Sequence, residues 1–489
     1  MAALQQQAVE QLLTYAPVLT PLAELFAQAG HELAIVGGPV RDALLGRLPD
    51  GADTDVDLDL TTDARPERIL QIVAGWADTH WDLGRAFGTI GLRKGRFVIE
   101  ITTYRADSYD GTTRKPTVEF GDSLDGDLAR RDLTVNAMAV RLPGRQFVDL
   151  HDGMADLAGG LLRTPVEPRV SFGDDPLRMM RVARFVGQLG FDVDPATRAA
   201  MRDLADRLQI VSAERISTEL SKLLLGSHVR AGLEVFVDTG LADQVIPELT
   251  ALKLTVDEHR RHKDVYEHTL TVLEQAIDLE ARNGPDGPVP GPDLVLRLAA
   301  VLHDIGKPAT RRFEAGGGVS FHHHEVVGAK LAAKRLRALK FDKQTVTDVA
   351  RLVELHLRFH GYADGDNGWT DSAVRRYVTD AGPLLERLHL LTRADCTTRN
   401  RRKAARLAAA YDDLEQRIAV LREAEELAAI RPDLDGTEIM AILAIAPGRV
   451  VGRAYRHLLE LRMDHGPLGT DRARAELLAW WAEQPESRQ

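Results

Sequence analysis

Aspartates recur at every second position of the stretch DTDVDLDLTTDARPE, at Asp53, Asp55, Asp57 and Asp59. In an extended strand alternate side chains leave the same face, so these carboxylates share one side. Like charges in such a row repel unless a cation sits among them, and oxygen-only donors suit a hard divalent ion. A solvated edge strand is the other reading of the same spacing. Upstream, IVGGPVRDALLG runs an apolar strand into two glycines and then Pro39, which suits the first position of a helix. Such a turn lets backbone amides approach an anion, although many strand-to-helix turns carry Gly-Gly for steric reasons alone. An anion-binding turn beside a carboxylate pair is what a nucleoside triphosphate and its metal require.

A second concentration lies far downstream. DVYEHTLTVLEQA carries His268, and LRLAAVLHDIGKPAT carries His303 and Asp304 at the end of an apolar helix. Groups of this kind are rarely left without partners in a core, and imidazole with carboxylate suits a borderline transition metal. Between the two regions, DDPLRMMRVARF places Asp175 and Arg178 at a spacing that, on a helix, sets a carboxylate beside a guanidinium. Taken alone, that spacing is an ordinary ion pair.

The elements needed to hold these groups are legible in outline. Residues 1–30 read as amphipathic helix broken at Pro17 and Pro21. Short strands follow in ELAIVGG, DVDLDLT, TIGLRKGRFVIEITTYR with a turn at Lys94-Gly95, and RQFVDLHDG. After Leu157 helical periods dominate, interrupted by the Gly/Pro-rich stretch 282–293. At 489 residues, 44% hydrophobic and 28% charged, the chain is long enough for several domains, and it has no apolar run of the roughly 18 residues a membrane span needs. Its net charge of −11 excludes a basic nucleic-acid coat, so any polynucleotide must meet local basic patches. The single cysteine, Cys396, excludes a thiolate zinc cage and, with a start that lacks the pattern of a secretory signal, predicts the cytoplasm.

Six quoted segments, GGPVRDALLG, DLD before LTTDARPE, FGTI, IEITTYR, RRDLTVNAMA and DDPLRMMRVARF, occur in the order found in class II tRNA nucleotidyltransferases and bacterial poly(A) polymerases, which the chain resembles over about residues 31–225. The resemblance implies an α+β nucleotidyltransferase (polymerase-beta-like) head followed by an all-α neck, an HD domain and a helical tail. It implies that Asp57 and Asp59 are catalytic and hold Mg²⁺, with Asp55 an alternative register and Glu100 a further carboxylate. By the same resemblance Gly38 and Arg41 touch the triphosphate, and Asp175 and Arg178 read the base. Arg181, Arg184 and Arg131 lie near the nucleotide. Cytosine and adenine both offer an amino donor beside an unprotonated ring nitrogen, so one acceptor and one donor admit CTP and ATP and reject UTP and GTP. The segment SAERISTELSKLLLG, with Glu214, Arg215, Glu219 and Lys222, resembles the family's last helical motif in the form associated with CCA addition; a capped core helix is its other reading.

His268, His303, Asp304 and Asp395 resemble the HD pattern of metal-dependent phosphohydrolases, with His323, His324 and His356 where some members place extra ligands. This implies a second divalent transition metal. Arg393 to Arg406, in RADCTTRNRRKAARLAAAY, is the local candidate for tRNA phosphates, on an expected continuous helix. The expected domains are an N-terminal helical segment (1–30), a catalytic head (31–155), a base-selecting neck (156–252), an HD domain (253–400) and a tail (401–489). The expected activity is template-independent addition of CMP, CMP and AMP to tRNA 3′ ends, with tRNA, CTP and ATP as partners and no membrane. Poly(A) synthesis, partial CC or A addition, and an HD hydrolase with an RNA-binding head remain alternatives.

Overall fold

A computed structural model describes residues 2–48, 55–82, 84–105, 120–254, 265–284, 286–314, 319–359, 362, 369–396, 401–425 and 431–488. Asp53 and residues 397–400 of the basic stretch lie outside the described residues. The chain forms two compact units, Met1–Thr250 and Ala251–Gln489.

The first unit begins with helices α1 (Ala2–Leu12) and α2 (Ala16–Gln28). Contrary to expectation, α2 runs through both prolines. Pro17 occupies the first turn, where no amide bond is lost, and the single bond missing at Pro21 is outweighed by the buried face of Val18, Leu19, Leu22, Ala23 and Phe26. Strand β1 (Leu33–Val36) then leads through Gly37 into α3 (Gly38–Leu44). After it come β2 (Val56–Thr62), α4 (Pro66–Val73), β3 (Thr79–Trp81), β4 (Thr89–Lys94) and β5 (Phe97–Thr103), then α5 (Leu124–Ala129), β6 (Met138–Leu142) and β7 (Gln146–Asp149).

These strands form one sheet in the order β3-β4-β5-β2-β1-β6-β7. Within this sheet only β2 and β5 pair in parallel, with Asp57 opposite Val98 and Asp59 opposite Glu100. Alternation sorts β2 cleanly: Val56, Leu58 and Leu60 are buried, while Asp57 and Asp59 are open on the other face. Helices α2 and α4 pack against the sheet. Two strands of this sheet escaped the sequence reading, as did the two-residue strands Leu161–Leu162, Asp192–Val193, Arg312–Phe313 and Val319–Ser320 outside it. THW in β3 is too short to alternate, and β6 overlaps the motif RRDLTVNAMA only at Met138 and Ala139.

A helical stack completes the first unit: α6 (Gly153–Gly159), α7 (Pro168–Asp174), α8 (Leu177–Leu189), α9 (Pro195–Leu204), α10 (Ala213–Leu224) and α11 (Val229–Asp238). Helix α8 packs on both α10 and α11 through an almost wholly buried face that includes Met179, Met180, Val182 and Ala183. Ser212 caps α10 by accepting from the Arg215 amide at 3.4 Å.

The second unit is helical apart from the short antiparallel pair Arg312–Phe313 and Val319–Ser320. Helices Val265–Asn283, Leu294–Leu302, His324–Ala338, Lys343–Leu355 and Leu385–Asp395 pack together, with Asp293 and Asp342 as caps. Among the described residues of 284–293 no helix forms. The expected helix through 393–411 is two helices, because one ends at Asp395 and the next runs Arg401–Glu425. Helices Gly436–Leu443, Arg449–His465 and Thr470–Ala482 share an apolar cluster around Ile439, Leu458 and Leu477. Among the described residues no helix is long and apolar enough to cross a membrane.

Candidate functional site

Register brings the first carboxylates together. Asp57 and Asp59 leave the open face of β2, and Glu100 stands beside Asp59 on β5. Asp55 is drawn off by Arg93, 2.6 Å away. The Asp59 carboxyl is held above the ordinary aspartate range, chiefly by loss of water and further by Asp57, against the opposing pull of Arg131, Arg181 and Arg41. Glu100 is raised as well, by loss of water and by both aspartates. Crowded oxygen donors that resist ionisation are what a divalent cation would relieve, so these residues fit a hard metal.

The carboxylates open into a cleft of about 910 Å³ whose lining includes Asp59, Glu100, Arg131, Asp175, Arg178 and Arg181. Asp57, Gly38, Arg41 and Arg184 are not part of that lining. Next to the lining residue Val36 the special backbone falls on Gly37, with φ of 73°. A Cβ there would sit 2.9 Å from Arg131 Nη1 and 3.9 Å from Asp59 Oδ2, so the absent side chain is what lets guanidinium and carboxylate converge on the end of β1. Arg41 is fixed beside it. Its Nε and Nη2 donate to Asp42 at 2.9 and 3.0 Å, its Nη1 donates to Asn136 Oδ1 at 2.7 Å, and its guanidinium lies 5.2 Å from the Phe185 ring.

Asp175 and Arg178 share the cleft but do not pair as an i,i+3 couple on one helix. Asp175 lies in the joint between α7 and α8, where Oδ1 accepts from the Leu177 amide at 3.1 Å and Oδ2 from Arg215 Nη2 at 2.7 Å. Arg178 is buried and donates instead to Ser171 Oγ at 2.9 Å and to the Arg130 carbonyl at 2.6 Å. Burial lowers its pKa, with Asp175 opposing. The two groups are therefore held by separate partners.

Arg181 and Arg184 belong to a buried network. Arg181 binds Asp132 Oδ2 through Nε at 2.7 Å and approaches Glu219 at 3.5 Å, while Arg184 Nε lies 2.9 Å from Glu219. Burial opposes ionisation of Asp132, but Arg181, a hydrogen bond from Asn136 and Arg184 outweigh it and hold the carboxyl well below the usual range. Burial and its neighbour Arg181 push Arg184 down to about 10. Glu219 thus ties α10 to α8, whereas Arg215 of the same helix reaches the cleft. Asp132, Arg215 and Gly37 were not singled out as binding residues from sequence. Asp132 adjoins Arg131 in RRDLTVN, which was its only signal.

In the second unit His268, His303, Asp304 and Asp395 do converge. His268 Nε2 is 3.0 Å from Asp395 and 3.6 Å from Asp304, and His303 Nε2 is 3.2 Å from Asp304. His324 Nε2 approaches the other Asp304 oxygen at 3.2 Å, and the His324 and His356 rings lie 5.4 Å apart. The groups His268/His303/Asp304 and Asp304/His324/His356 each have the compactness of a metal triad, and Asp304 belongs to both. Nδ1 of His303, His324 and His356 lies at 2.8, 2.8 and 2.7 Å from the carbonyls of Ala300, Phe321 and Val353, which turns each Nε2 inward. Those inward Nε2 atoms are buried without a hydrogen-bond partner, which fits a transition metal, while Asp304 Oδ2 is met by Lys307 Nζ at 2.7 Å. Burial opposes ionisation of Asp304, yet His303 and Lys307 hold it well below the carboxylate range. His323 takes no part. It is 82% exposed at the start of its helix, with Glu325 its nearest acid at 3.7 Å.

The basic stretch divides likewise. Arg393 is engaged by Asp412 and Glu415 at 2.8 and 2.9 Å and lies over Tyr411, whereas Arg402, Lys403 and Arg406 are exposed on the following helix.

Residues 33–163 match the family model of the poly A polymerase head domain, 190–253 that of a probable RNA and SrmB-binding site of polymerase A, and 265–400 that of the HD domain. An A-adding tRNA nucleotidyltransferase of Deinococcus radiodurans is 34% identical over 462 residues, covering 93% of this chain and 96% of that protein. A CCA-adding enzyme of Lactobacillus helveticus is 39% identical over 226 residues, 46% of this chain and 54% of that one. Among solved structures, the Bacillus stearothermophilus CCA-adding enzyme in complex with CTP superposes with a TM-score of 0.63 at 22% identity, covering 98% of each chain. The Thermotoga maritima CCA-adding enzyme complexed with tRNA gives 0.60 at 16%, covering 96% of this chain and 98% of that one. At these identities the structural likeness is one of fold.

Proposed function

The chain belongs to the tRNA nucleotidyltransferase family, and from that premise we propose that it adds CMP, CMP and AMP, drawn from CTP and ATP, to tRNA 3′ ends without a nucleic-acid template. One observation carries the reading: a single cleft holds the Asp59 and Glu100 carboxylates together with Asp175 and Arg178. Phosphoryl transfer asks little covalent help of a protein beyond positioning and charge neutralisation. Asp57 and Asp59, with Glu100, would hold Mg²⁺. When bound, the ions lower the pKa of the attacking 3′-hydroxyl and neutralise the leaving pyrophosphate. Arg131 and Arg41, beside the Gly37 turn, would meet the triphosphate.

Asp175 would accept from the amino group of cytosine or adenine, and Arg178, whose guanidinium has donors beyond those already engaged, would donate to the ring nitrogen. Uracil and guanine present the reverse pattern and leave both groups unsatisfied. Arg402, Lys403 and Arg406 would meet tRNA phosphates, and the cytoplasm is the proposed place of action. In the second unit the two triads would hold divalent transition metal, for which a phosphohydrolase activity is the proposed use.

Addition of the terminal A alone is a second reading, because the relative matched along nearly its whole length is A-adding. Incubating tRNA ending just before CCA, and tRNA ending in CC, with CTP, with ATP and with both together separates them at single-nucleotide resolution. CCA addition extends the first tRNA by three nucleotides and stops. A-only addition extends just the second. A long tail made from ATP alone would overturn both.

A further inference from the structure

The pairing registers place Trp81, Gly91, Glu100 and Asp59 in a single row across β3, β4, β5 and β2. At about 4.8 Å per strand the row sets the Trp81 backbone roughly 14 Å from that of Asp59. The indole does not stay at the end of the row. It lies down over Gly91, where a Cβ would meet its Cε2 and Nε1 at 2.0 Å, and it lines the cleft beside Glu100. Any other residue at position 91 would lift the ring off the sheet. Phe87, 48% exposed, adds a second aromatic to the same wall.

The carboxylates therefore have unlike neighbours on their two sides. Toward β1 stands Arg131 over Gly37, the side suited to a triphosphate. Toward β3 stand Trp81 and Phe87, and Arg105, bonded to Thr89 at 3.1 Å, is one of the cations lining the cleft. In-line transfer needs the attacking hydroxyl on the side opposite the leaving pyrophosphate. A half-buried aromatic face there suits an unpaired base, since stacking accepts every base and carries no sequence preference.

Resting on the reading above, we propose that Trp81, laid over Gly91, is the platform on which the unpaired 3′-terminal base of the tRNA acceptor strand stacks, so that its 3′-hydroxyl faces Asp59 and Glu100. Trp81 is thus a positioning residue for the primer end rather than for the incoming nucleotide. The ring tolerates a primer whose last base changes from the discriminator to cytosine as addition proceeds.

The test uses the full chain as wild type, Trp81→Ala, Trp81→Phe, Gly91→Ala and Trp81→Ala/Gly91→Ala. The substrates are tRNA ending just before CCA, either intact or with an abasic 3′-terminal nucleotide. Trp81→Ala should raise KM for intact tRNA about tenfold, as loss of one base stack predicts, and leave KM for CTP unchanged. The abasic end should impose the same loss on the wild type and none further on Trp81→Ala. Trp81→Phe should restore most of the affinity; Gly91→Ala should copy Trp81→Ala and add nothing in the double variant. Trp81→Ala remaining as sensitive to the abasic end as the wild type would overturn the platform alone, as would an equal rise in KM for CTP. Failure of the wild type to extend either tRNA, together with failure to extend intact tRNA ending in CC, would overturn the tRNA reading and the platform with it.

Discussion

Arg181 reaches Asp132 through both Nε and Nη2, at 2.7 and 2.6 Å, and so fastens α8 to the segment that follows α5. Asp132 is buried and stays charged at neutral pH, so removing it leaves Arg181 without its main counter-ion. Breaking one side of a buried pair costs about 3 kcal/mol or more. Asp132→Ala should lower the unfolding free energy of the first unit by that order in urea titrations, and raise KM for CTP and ATP in parallel because Arg178 moves with α8. An unaltered KM for both would show that the fastening does not position the base-reading residues.

Gly37 and Gly38 should respond differently to the same change. Gly37→Ala forces a side chain into left-handed backbone and against Arg131, at a cost of about 1–2 kcal/mol from the backbone alone. It should depress kcat/KM for all triphosphates together. At Gly38 the nearest atom, Arg41 Nη2, is 3.7 Å from a new Cβ, so Gly38→Ala should be tolerated. Steady-state kinetics with CTP and ATP reads both.

Within the aspartate row, Asp57→Ala or Asp59→Ala should abolish nucleotide addition while tRNA binding, followed by gel shift, stays near that of the wild type. Asp55→Ala should keep activity, since its carboxylate is committed to Arg93. An inactive Asp55→Ala beside an active Asp57→Ala would shift the register by two residues.

For the histidine cluster the prediction is stoichiometric. Asp304 belongs to both triads, so Asp304→Ala should lose all bound transition metal, whereas His356→Ala should lose one of two ions. Metal analysis after dialysis gives the count. Both variants should keep CCA addition, and loss of addition in a chain still helical by circular dichroism would count against separable sites.

His389 supplies a pH dependence. It is buried, stacks on Tyr377 with centroids 6.0 Å apart, and lies 3.4 Å from a Glu415 carboxylate that Arg393 already engages at 2.9 Å. Burial, with Arg393 and Arg422, lowers its pKa to about 4. The unfolded chain, with an ordinary histidine pKa near 6.5, then binds the proton more readily than the folded one between those values. Its stabilising contribution is complete above about pH 6.5 and is lost as pH falls toward 4, by about 3 kcal/mol in all. His389→Phe should flatten that part of the difference between acid and neutral unfolding curves. Identical slopes in variant and wild type would show that His389 is not the group responsible.

What could be read in advance followed the chemistry of alternation. The β2 carboxylates, the Gly95 turn between β4 and β5 and the convergence of His268, His303, Asp304 and Asp395 all rest on patterns local in the chain or on quoted motifs. Asp175 and Arg178 illustrate the limit. Their spacing suggested one helical face, but Pro176 starts α8 between them, and each found a partner far away in sequence, Arg215 and the Arg130 carbonyl. His323 and His324 are neighbours in sequence, yet only His324 lies within the helix and turns inward, because left-handed backbone at His323 points that ring to solvent. Trp81 was invisible for a similar reason, since its role depends on the absence of a side chain on the adjacent strand.

The parallel contact between β2 and β5 governs when such a cleft can come into being. Antiparallel neighbours close through a short turn, as β4 and β5 do, but parallel ones require the intervening chain to leave and return. Here that excursion comprises α4, β3 and β4, and it must close before Asp59 and Glu100 can face each other. Loop closure over such a distance is entropically costly and slow. The acidic centre should therefore mature late in folding, after the β4–β5 hairpin. A chain still emerging from the ribosome would carry the aspartates without being able to assemble their full set.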